Sequence, residues 1–321
     1  MNALFPQKQP GLTTWAEPKK AVYMRENMSG ETVQIGAYDP SLPGPWNQMV
    51  PVEEGFALFA TRVLERYEES ACEWITLDEI GYLEAGNEIY HKALLRLMCK
   101  KRVAAVIRKQ NLPFLQELCI RNDAFVVDLD DPFGRIGCVI MASGLGRRFG
   151  GNKLMADFHG QPLIRCILDA TEGLFSERVV VTRHESVAKI CKERGIHTVL
   201  HDLPNRNDTV RLGLESMRNI DRCMFAAADQ PLLRRETIVA LALASANAPD
   251  SIWRPTCEGT PGSPVIFPQW AFAELRTLPD GKGGGVLIKK YPERLRMVNV
   301  RDVYELKDVD NPEDLQTLLE R

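Results

Sequence analysis

The sequence lacks several features that would assign it to a special class of protein. No apolar run approaches the roughly 18–20 residues of a membrane-spanning helix, and residues 1–20 contain no apolar signal core. The eight cysteines include no CxxC pair, which argues against a zinc site and favours buried, reduced thiols. A formal charge of -3 gives no electrostatic case for binding nucleic acid or an anionic membrane. From these absences we expect a cytoplasmic protein.

The chain also has no internal repeat, no low-complexity tract and no GxxxxGK[ST] phosphate loop. Its 321 residues exceed a typical single domain, which favours two domains. What the sequence does contain is an alternation of short apolar runs with amphipathic stretches whose apolar residues recur at steps of three and four. Such alternation predicts an α/β fold with parallel sheets and helices on both faces.

The predicted elements fall into two halves. In the first half, the expected strands are EWITLDEI, KRVAAVIRK and NDAFVVDL, and the expected helices lie in PVEEGFALFATRVLERYEE and GNEIYHKALLRLMCKK. In the second half, the expected strands are GCVIMA, ERVVVTR, HTVLH and RCMFAAADQ. Between the halves, DLDDPFGRIG combines acidic residues, a proline and two glycines directly before a new apolar run. We therefore place a domain boundary near Gly134.

A glycine-rich segment, SGLGRRFGGNK, follows the apolar run CVIMA. Its glycines permit close approach of the backbone to a ligand, its N–H groups can bind phosphate oxygens, and three basic residues add positive charge. A dinucleotide fingerprint fits poorly because Phe149 replaces the third glycine and no acidic residue closes a second strand. The segment predicts a nucleotide-phosphate loop; the alternative is a glycine-rich turn with solvated basic residues.

An aspartate ends another apolar run in this half. Asp229 follows MFAAA, and ligands of open parallel sheets bind beyond the carboxyl ends of the strands. A carboxylate there is a candidate ligand for magnesium. The alternative is an ordinary turn or helix-capping aspartate.

The segment ASGLGRRFGGNKLM, followed by GQPLI, resembles the signature of the MobA/MocA-like nucleotidyltransferases, and more closely that of the molybdenum-cofactor cytidylyltransferases. The resemblance extends through NDTVRLGLESM, GTPGSPVIF, LPDGKGGGVLIKK and ELKDVDNPEDL. It implies an α/β protein of two three-layer α/β/α domains. The C-terminal domain, residues 135–321, is expected to have the Rossmann-like fold of the nucleotide-diphospho-sugar transferases with a mostly parallel sheet.

The same resemblance implies roles for individual residues. Arg148, Lys153 and Asp229 would be catalytic, and Asp229 with Asp310 would hold Mg²⁺. Ser143 occupies a position that is Ala or Gly in many members. The expected nucleotide-binding residues are Ala142, Ser143, Gly144, Leu145, Gly146, Arg147 and Thr209. The expected acceptor-binding residues are Gly262, Pro264, Lys282 and Gly283.

The first half carries a different resemblance. DEIGYLE resembles the Walker B element of the small P-loop nucleoside-triphosphatases, with Asp78 and Glu79 as its acids and Gly81 and Glu84 in the expected positions. The Walker A element of that family is missing from the sequence. Residues 1–134 are therefore expected to be a degenerate P-loop-like domain with an association surface, for either a molybdoenzyme or a second polypeptide.

Together these features predict a Mg²⁺-dependent nucleotidyltransferase that moves CMP from CTP to molybdopterin and releases pyrophosphate. The expected ligands are a nucleoside triphosphate and a molybdopterin-type acceptor, with no nucleic acid and no membrane. Four alternatives stay open: GTP as donor, a sugar-phosphate acceptor, a non-catalytic protein that delivers the molybdenum cofactor, and nucleotide hydrolysis by the first half.

Overall fold

The computed structural model describes residues 8–43 and 48–321, and contacts divide the chain into two units, Met1–Phe125 and Val126–Arg321. The predicted boundary at Gly134 lies within the second unit. The assignment of each unit to a family of domains stays a prediction at this point.

A mixed sheet of six strands organises the N-terminal unit. Its strands are β1 (Gly11–Glu17), β2 (Ala21–Glu26), β3 (Thr32–Tyr38), β4 (Met49–Pro51), β5 (Trp74–Ile80) and β6 (Arg102–Ile107), in the order β4-β3-β2-β1-β5-β6. β5 is parallel to both β1 and β6, and the other three junctions are antiparallel. The helices are α1 (Thr61–Glu69), which continues a π-helical stretch at Gly55–Ala60, α2 (Glu88–Lys100) and α3 (Pro113–Cys119).

The buried apolar residues of this unit form one cluster against one face of the sheet. In β2, Val22 and Met24 are buried in the cluster, whereas Tyr23 stacks on Trp15 of β1 and Arg25 lies over the same indole ring. Because successive side chains of a strand point to opposite faces, these aromatic residues lie on the second face. A three-layer α/β/α arrangement is expected for this unit. Among the described residues, the helices pack on one face of the sheet, which makes two layers.

The predicted strand NDAFVVDL is wrong. Residues 122–129 adopt no strand, and Phe125, Val126 and Leu129 are exposed. The backbone N–H of Val126 donates to Asn247 Oδ1 at 2.7 Å, and its carbonyl accepts from Asn247 Nδ2 at 2.9 Å. An alternating apolar pattern becomes a strand only where a neighbouring strand supplies ladder hydrogen bonds, and here a side chain supplies them instead.

The C-terminal unit contains ten strands and seven helices among its described residues. The strands are β7 (Ile136–Ala142), β8 (Asp157–Phe158), β9 (Gln161–Pro162), β10 (Glu177–Thr182), β11 (His197–Leu200), β12 (Arg222–Ala227), β13 (Ile252–Cys257), β14 (Thr260–Pro261), β15 (Val265–Pro268) and β16 (Leu295–Asn299). The helices are α4 (Ile164–Ala170), α5 (Glu185–Glu193), α6 (Arg206–Glu215), α7 (Arg235–Asn247), α8 (Phe272–Arg276), α9 (Gly285–Lys290) and α10 (Pro312–Leu319).

The main sheet of this unit has the order β11-β10-β7-β12-β15-β13-β14, and β16 pairs with β13. β11, β10, β7 and β12 are mutually parallel, β15 is antiparallel to its two neighbours, and β16 is parallel to β13. The carboxyl ends of the four parallel strands therefore share one edge of the sheet. The four strands predicted for this half are β7, β10, β11 and β12.

Two core clusters cover the two faces of this sheet. Cys138 and Ile140 of β7 pack into a cluster with α4, α5, α7 and α10, while Val139 packs into another with α6, α8 and α9. Gly213 brings α6 close to the sheet, because a Cβ at this position would lie 2.6 Å from Val139 Cγ1. Helices on both faces of a mostly parallel sheet confirm the predicted α/β class.

In the described part of the chain, no helix is both long and apolar enough to cross a membrane.

Candidate active site

The loop after β7 folds back on itself at two glycines. Gly146 has φ +59°, and a Cβ there would lie 1.9 Å from the carbonyl oxygen of Gly151, so only glycine fits. The Gly146 carbonyl accepts the N–H groups of Phe149 and Gly150, both at 3.0 Å. The sequence motif therefore forms a closed turn at the carboxyl edge of the sheet, as expected of a ligand-binding loop in an α/β fold.

Six consecutive N–H groups of this loop are available to a ligand. Within residues 8–43 and 48–321, no protein group accepts a hydrogen bond from the N–H groups of residues 143–148. The predicted phosphate ligands Ala142, Ser143, Gly144, Leu145, Gly146 and Arg147 supply or flank these donors. A run of backbone N–H groups that lack protein acceptors can bind an anion such as a phosphate.

Lys153 lies between the two predicted magnesium ligands. Its Nζ is 2.5 Å from Asp229 Oδ2, 2.5 Å from the carbonyl oxygen of Val309 and 3.5 Å from Asp310 Oδ1. Arg148 reaches the same site from the loop, with Nη2 2.9 Å from Asp310 Oδ2. Lys153 is 8% exposed, whereas the Arg148 side chain is 73% exposed. The structure thus brings together the four residues that are predicted to be catalytic or metal-binding.

Backbone hydrogen bonds hold the two aspartates side by side. Asp229 follows β12, and its carbonyl accepts the N–H of Val309 at 2.8 Å, which attaches the segment before α10 to this strand end. Asn311, not Asp310, caps α10, because Asn311 Oδ1 accepts the N–H of Asp314 at 2.8 Å. The Asp310 carboxylate is therefore not used as a helix cap and faces the cations instead.

The sequence analysis missed Asp308 and Gln230 beside this site. Burial of its carboxyl group and the nearby Asp229 raise the pKa of Asp308 to about 6, although the residue as a whole is exposed. Gln230 is 2% exposed and donates from Nε2 to the Leu306 carbonyl at 3.1 Å, while its buried Oε1 accepts no hydrogen bond from any described residue. Asp308 lies two positions before the predicted ligand Asp310, and this spacing could have indicated a second carboxylate near the site.

The donor set at Lys153 fits a divalent cation. In the described part of the chain, no group of three or more His, Cys, Asp or Glu side chains is placed to hold a metal ion. However, two carboxylates and one carbonyl oxygen already surround a positive charge, the Lys153 ammonium. Oxygen ligands of this kind are those that Mg²⁺ prefers. Asp229 and Asp310 could hold the cation once Lys153 moves aside.

Three strand-end side chains that the sequence analysis also missed hold the start of the loop. Ser143 Oγ is 2.7 Å from His201 Nε2 and donates to the Val181 carbonyl at 3.0 Å. His184 Nε2 is 2.8 Å from the carbonyl oxygen of Gly144, and Thr182 Oγ1 donates to the Ala142 carbonyl at 3.0 Å. Polar residues at the ends of two predicted strands were the signal that could have revealed them.

Thr209, a predicted nucleotide ligand, lies on the buried face of α6. It is 4% exposed, and in the part of the chain that the structure describes its side chain makes no hydrogen bond to the loop. The N-terminus of α6 instead contacts the predicted acceptor loop. Asn207 Nδ2 donates to the Leu278 carbonyl at 3.3 Å, and Asn207 Oδ1 accepts the N–H of Gly281 at 3.1 Å.

The predicted acceptor residues belong to two separate segments. Gly283 lies against the guanidinium of Arg206 in α6, next to Lys282. Gly262 lies against Leu306, and its carbonyl accepts two hydrogen bonds from Arg254 at 2.9 and 2.7 Å, while Pro264 follows in the same segment. Leu306 in turn accepts from Gln230, which connects the Gly262 segment to the neighbour of Asp229.

The predicted Walker B acids of the N-terminal unit lie at the end of β5. Asp78 pairs in register with Thr13 of β1, and Glu79, at φ +69°, forms an ion pair with Arg108. Glu84 is 3% exposed, and burial raises its pKa to about 7 although Gly81 donates its N–H to the carboxylate. Glu79 is engaged by Arg108. The assignment of these acids to a degenerate Walker B element stays a prediction.

Comparison with known proteins supports the reading of the C-terminal unit. Residues 138–295 match the model of the MobA-like NTP transferase domain. The chain is also similar to 3-deoxy-manno-octulosonate cytidylyltransferases of Helicobacter pylori. It is 32% identical to that of strain G27 over 103 residues and 34% identical to that of strain J99 over 104 residues. Each match covers 30% of this chain and 42% of the relative's length.

Solved structures show a similar fold. Rv0371c from Mycobacterium tuberculosis H37Rv has a TM-score of 0.53 and 21% identity, over 58% of this chain and 99% of that chain. A nucleotidyl transferase from Methanothermobacter thermautotroptrophicus has a TM-score of 0.51 and 19% identity, over 58% of this chain and 97% of that chain. At these identities the likeness shows the fold, which is the Rossmann-like fold expected for the second half.

Proposed function

We propose that the C-terminal unit transfers a cytidylyl group from CTP to molybdopterin, releasing pyrophosphate in a magnesium-dependent reaction. One observation carries the proposal: Arg148 and Lys153 contact Asp229 and Asp310 at one sheet edge, and Arg148 belongs to a loop whose N–H groups at residues 143–148 have no acceptor among the described residues. Anion-binding donors beside carboxylates that surround a cation suit a nucleoside triphosphate with its metal. The match to the NTP transferase domain model supports the reaction class.

The protein's part in this chemistry is to position the reactants and neutralise charge. The N–H groups of residues 143–148 and the exposed Arg147 and Arg148 would bind the triphosphate oxygens. A phosphate oxygen of the acceptor would attack the α-phosphorus, and the bond from the α-phosphorus to its bridging oxygen would break, so that pyrophosphate leaves with that electron pair. Lys153 would neutralise the negative charge that develops on the phosphoryl oxygens.

Magnesium, held by Asp229 and Asp310, would add Lewis-acid stabilisation of the same phosphoryl oxygens when bound. Its binding requires the Lys153 ammonium to leave the carboxylates, because the ammonium already contacts both of them. The Lys153 ammonium would then be available to bind a phosphate oxygen of the substrate. Lys153 would thus exchange a carboxylate partner for a phosphate partner as the substrate enters.

CTP is favoured as the donor because two of the similar proteins are named cytidylyltransferases. The same names favour a second acceptor, a 3-deoxy-manno-octulosonate-type sugar acid. In that reaction, a hydroxyl oxygen of the sugar acid would attack the α-phosphorus, pyrophosphate would again leave with the electron pair of the broken bond, and the hydroxyl proton would pass to solvent. The chain spans 42% of the length of these relatives, so the acceptor is assigned to molybdopterin from the motifs and tested against the sugar acid.

Pyrophosphate release tests the function and separates its alternatives. Purified protein with Mg²⁺ is incubated with CTP or GTP and with molybdopterin, the sugar acid or no acceptor. We expect release with CTP and molybdopterin, and loss of release in Asp229→Ala and Lys153→Ala. Release with GTP alone would overturn the donor, release with the sugar acid alone would overturn the acceptor, and full turnover in both variants would overturn the site.

The N-terminal unit is proposed to be a docking domain for a molybdoenzyme or a second polypeptide, not a hydrolase. The ion pair between Arg108 and the Glu79 carboxylate argues against hydrolysis, because it engages the acid that would activate water. The expected result is that CTP and GTP without acceptor are not hydrolysed. Slow hydrolysis that disappears in Glu79→Ala and persists in Asp229→Ala would instead assign a nucleotide-hydrolysing function to this unit.

A further inference from the structure

Ser143 is the loop position at which this sequence differs from many proteins that it resembles, and its hydroxyl is fully engaged. It donates to the Val181 carbonyl at the end of β10 and faces His201 Nε2 at 2.7 Å. With its hydrogen donated to a carbonyl, the hydroxyl can only accept from the imidazole. Ser143 therefore connects the loop to two neighbouring strand ends.

The contacts of His201 determine its tautomer. The N–H of Leu203 donates to His201 Nδ1 at 3.2 Å, so this nitrogen carries no proton. Nε2 therefore carries the proton and donates to Ser143 Oγ. Burial and the nearby Arg183 lower the pKa of His201, which favours this neutral form; Asp202, Asp208 and Arg211 are the other charged groups near the ring.

Two backbone carbonyls at the start of the loop, those of Ala142 and Gly144, also accept hydrogen bonds from side chains near the strand ends. The Thr182 hydroxyl donates to the Ala142 carbonyl at 3.0 Å and accepts the N–H of His184 at 3.1 Å, and Thr182 is fully buried. The imidazole of His184 reaches the carbonyl oxygen of Gly144 at 2.8 Å. The Ala142 and Gly144 carbonyls thus accept from strand-end side chains, while among the described residues the N–H groups of residues 143–148 have no protein acceptor.

We propose that His201, acting through the Ser143 hydroxyl, is a positioning residue that holds the nucleotide loop with its N–H groups directed at the bound triphosphate; this rests on the function proposed above. Neither side chain needs to touch the substrate. Glycines at residues 144, 146, 150 and 151 give the loop backbone more accessible conformations than other residues would. Anchoring its first residues reduces the conformational entropy that would otherwise be lost when the triphosphate binds.

The test measures CTP binding and loop mobility in the same variants. CTP with Mg²⁺ is titrated calorimetrically into the full-length protein, and cleavage by trypsin after the exposed Arg147 and Arg148 is followed by mass spectrometry. The variants are Ser143→Ala, His201→Leu, their combination, and His201→Gln, whose amide can still donate to the hydroxyl. His197→Leu is the matched control, because His197 is an exposed histidine on β11.

We expect Ser143→Ala and His201→Leu each to weaken CTP binding and to speed cleavage about two- to tenfold, the range for one lost hydrogen bond. The double variant should lose little more than Ser143→Ala alone, because His201 acts on the loop through the Ser143 hydroxyl. His201→Gln should recover most of the loss, and His197→Leu should behave like the parent.

Additive losses, or unchanged binding and cleavage in His201→Leu, would overturn the positioning role. A parent protein that binds neither CTP nor GTP, titrated in the same way, would overturn the proposed function, and the cleavage rates would still decide whether His201 anchors the loop.

Discussion

Lys153→Met should destabilise the C-terminal unit in the absence of metal. Methionine keeps the aliphatic stem but removes the ammonium, which leaves the Asp229 and Asp310 carboxylates without their shared cation. The side chains of Lys153 and Asp229 are 10% and 21% exposed, so their ion pair is mostly withdrawn from water. The Asp310 side chain is 39% exposed and contributes less, because solvent screens it.

The size of the effect follows from this burial. Removing one partner of a fully buried ion pair costs about 3–5 kcal/mol. Partial exposure of the aspartates reduces the expected loss here to about 1–3 kcal/mol, or roughly 2–10 °C in the melting temperature of this unit. Saturating Mg²⁺ should then stabilise Lys153→Met more than the parent, because in the parent the cation must first displace the ammonium.

Calorimetry with and without Mg²⁺ measures both effects. Lys189→Met is the matched control, because Lys189 is an exposed lysine of α5 and its replacement should change the melting temperature little. The reasoning is refuted if Lys153→Met melts with the parent in the absence of metal, or if Mg²⁺ stabilises the two proteins equally. If Lys153→Met is less stable than the parent but gains no more stability from Mg²⁺, then Lys153 forms a structural ion pair that metal binding does not displace.

Three further outcomes are expected. Asp310→Asn should lower pyrophosphate release by about a hundredfold or more, because it removes a charged oxygen ligand from the proposed metal site; release within about threefold of the parent would exclude that role. The lowered pKa of His201 means that its contribution to stability is present above its unfolded pKa and is lost as the pH falls through the lower folded pKa. The melting temperature of the parent should therefore decrease on acidification below about pH 6.5 more steeply than that of His201→Gln, and parallel curves would contradict the assignment. Gly213→Ala should cost about 1–3 kcal/mol in urea unfolding, because its methyl group would overlap Val139, whereas Gly285→Ala, with open space around it, should be nearly neutral.

Much of the C-terminal unit could be predicted because its sequence signals are local. A buried parallel strand reads as a continuous apolar run, which identified β7, β10 and β12. Turn glycines such as Gly146 identify a loop, because only glycine tolerates that conformation beside the Gly151 carbonyl. The segment NDAFVVDL carries an equally clear strand pattern and is no strand, since strand formation depends on a pairing partner that lies elsewhere in the chain.

The sequence by itself determined which strands end in polar residues and where the backbone turns, since side-chain periodicity and glycine conformation depend on near neighbours. Only the tertiary structure decided that Lys153 contacts Asp310, 157 positions away, and that His201 reaches Ser143 across 58 positions. Contacts of this range depend on strand order, which brings the ends of β7, β10, β11 and β12 to one edge. The sequence shows which residue types are present, but the packing of the sheet determines which of them come into contact.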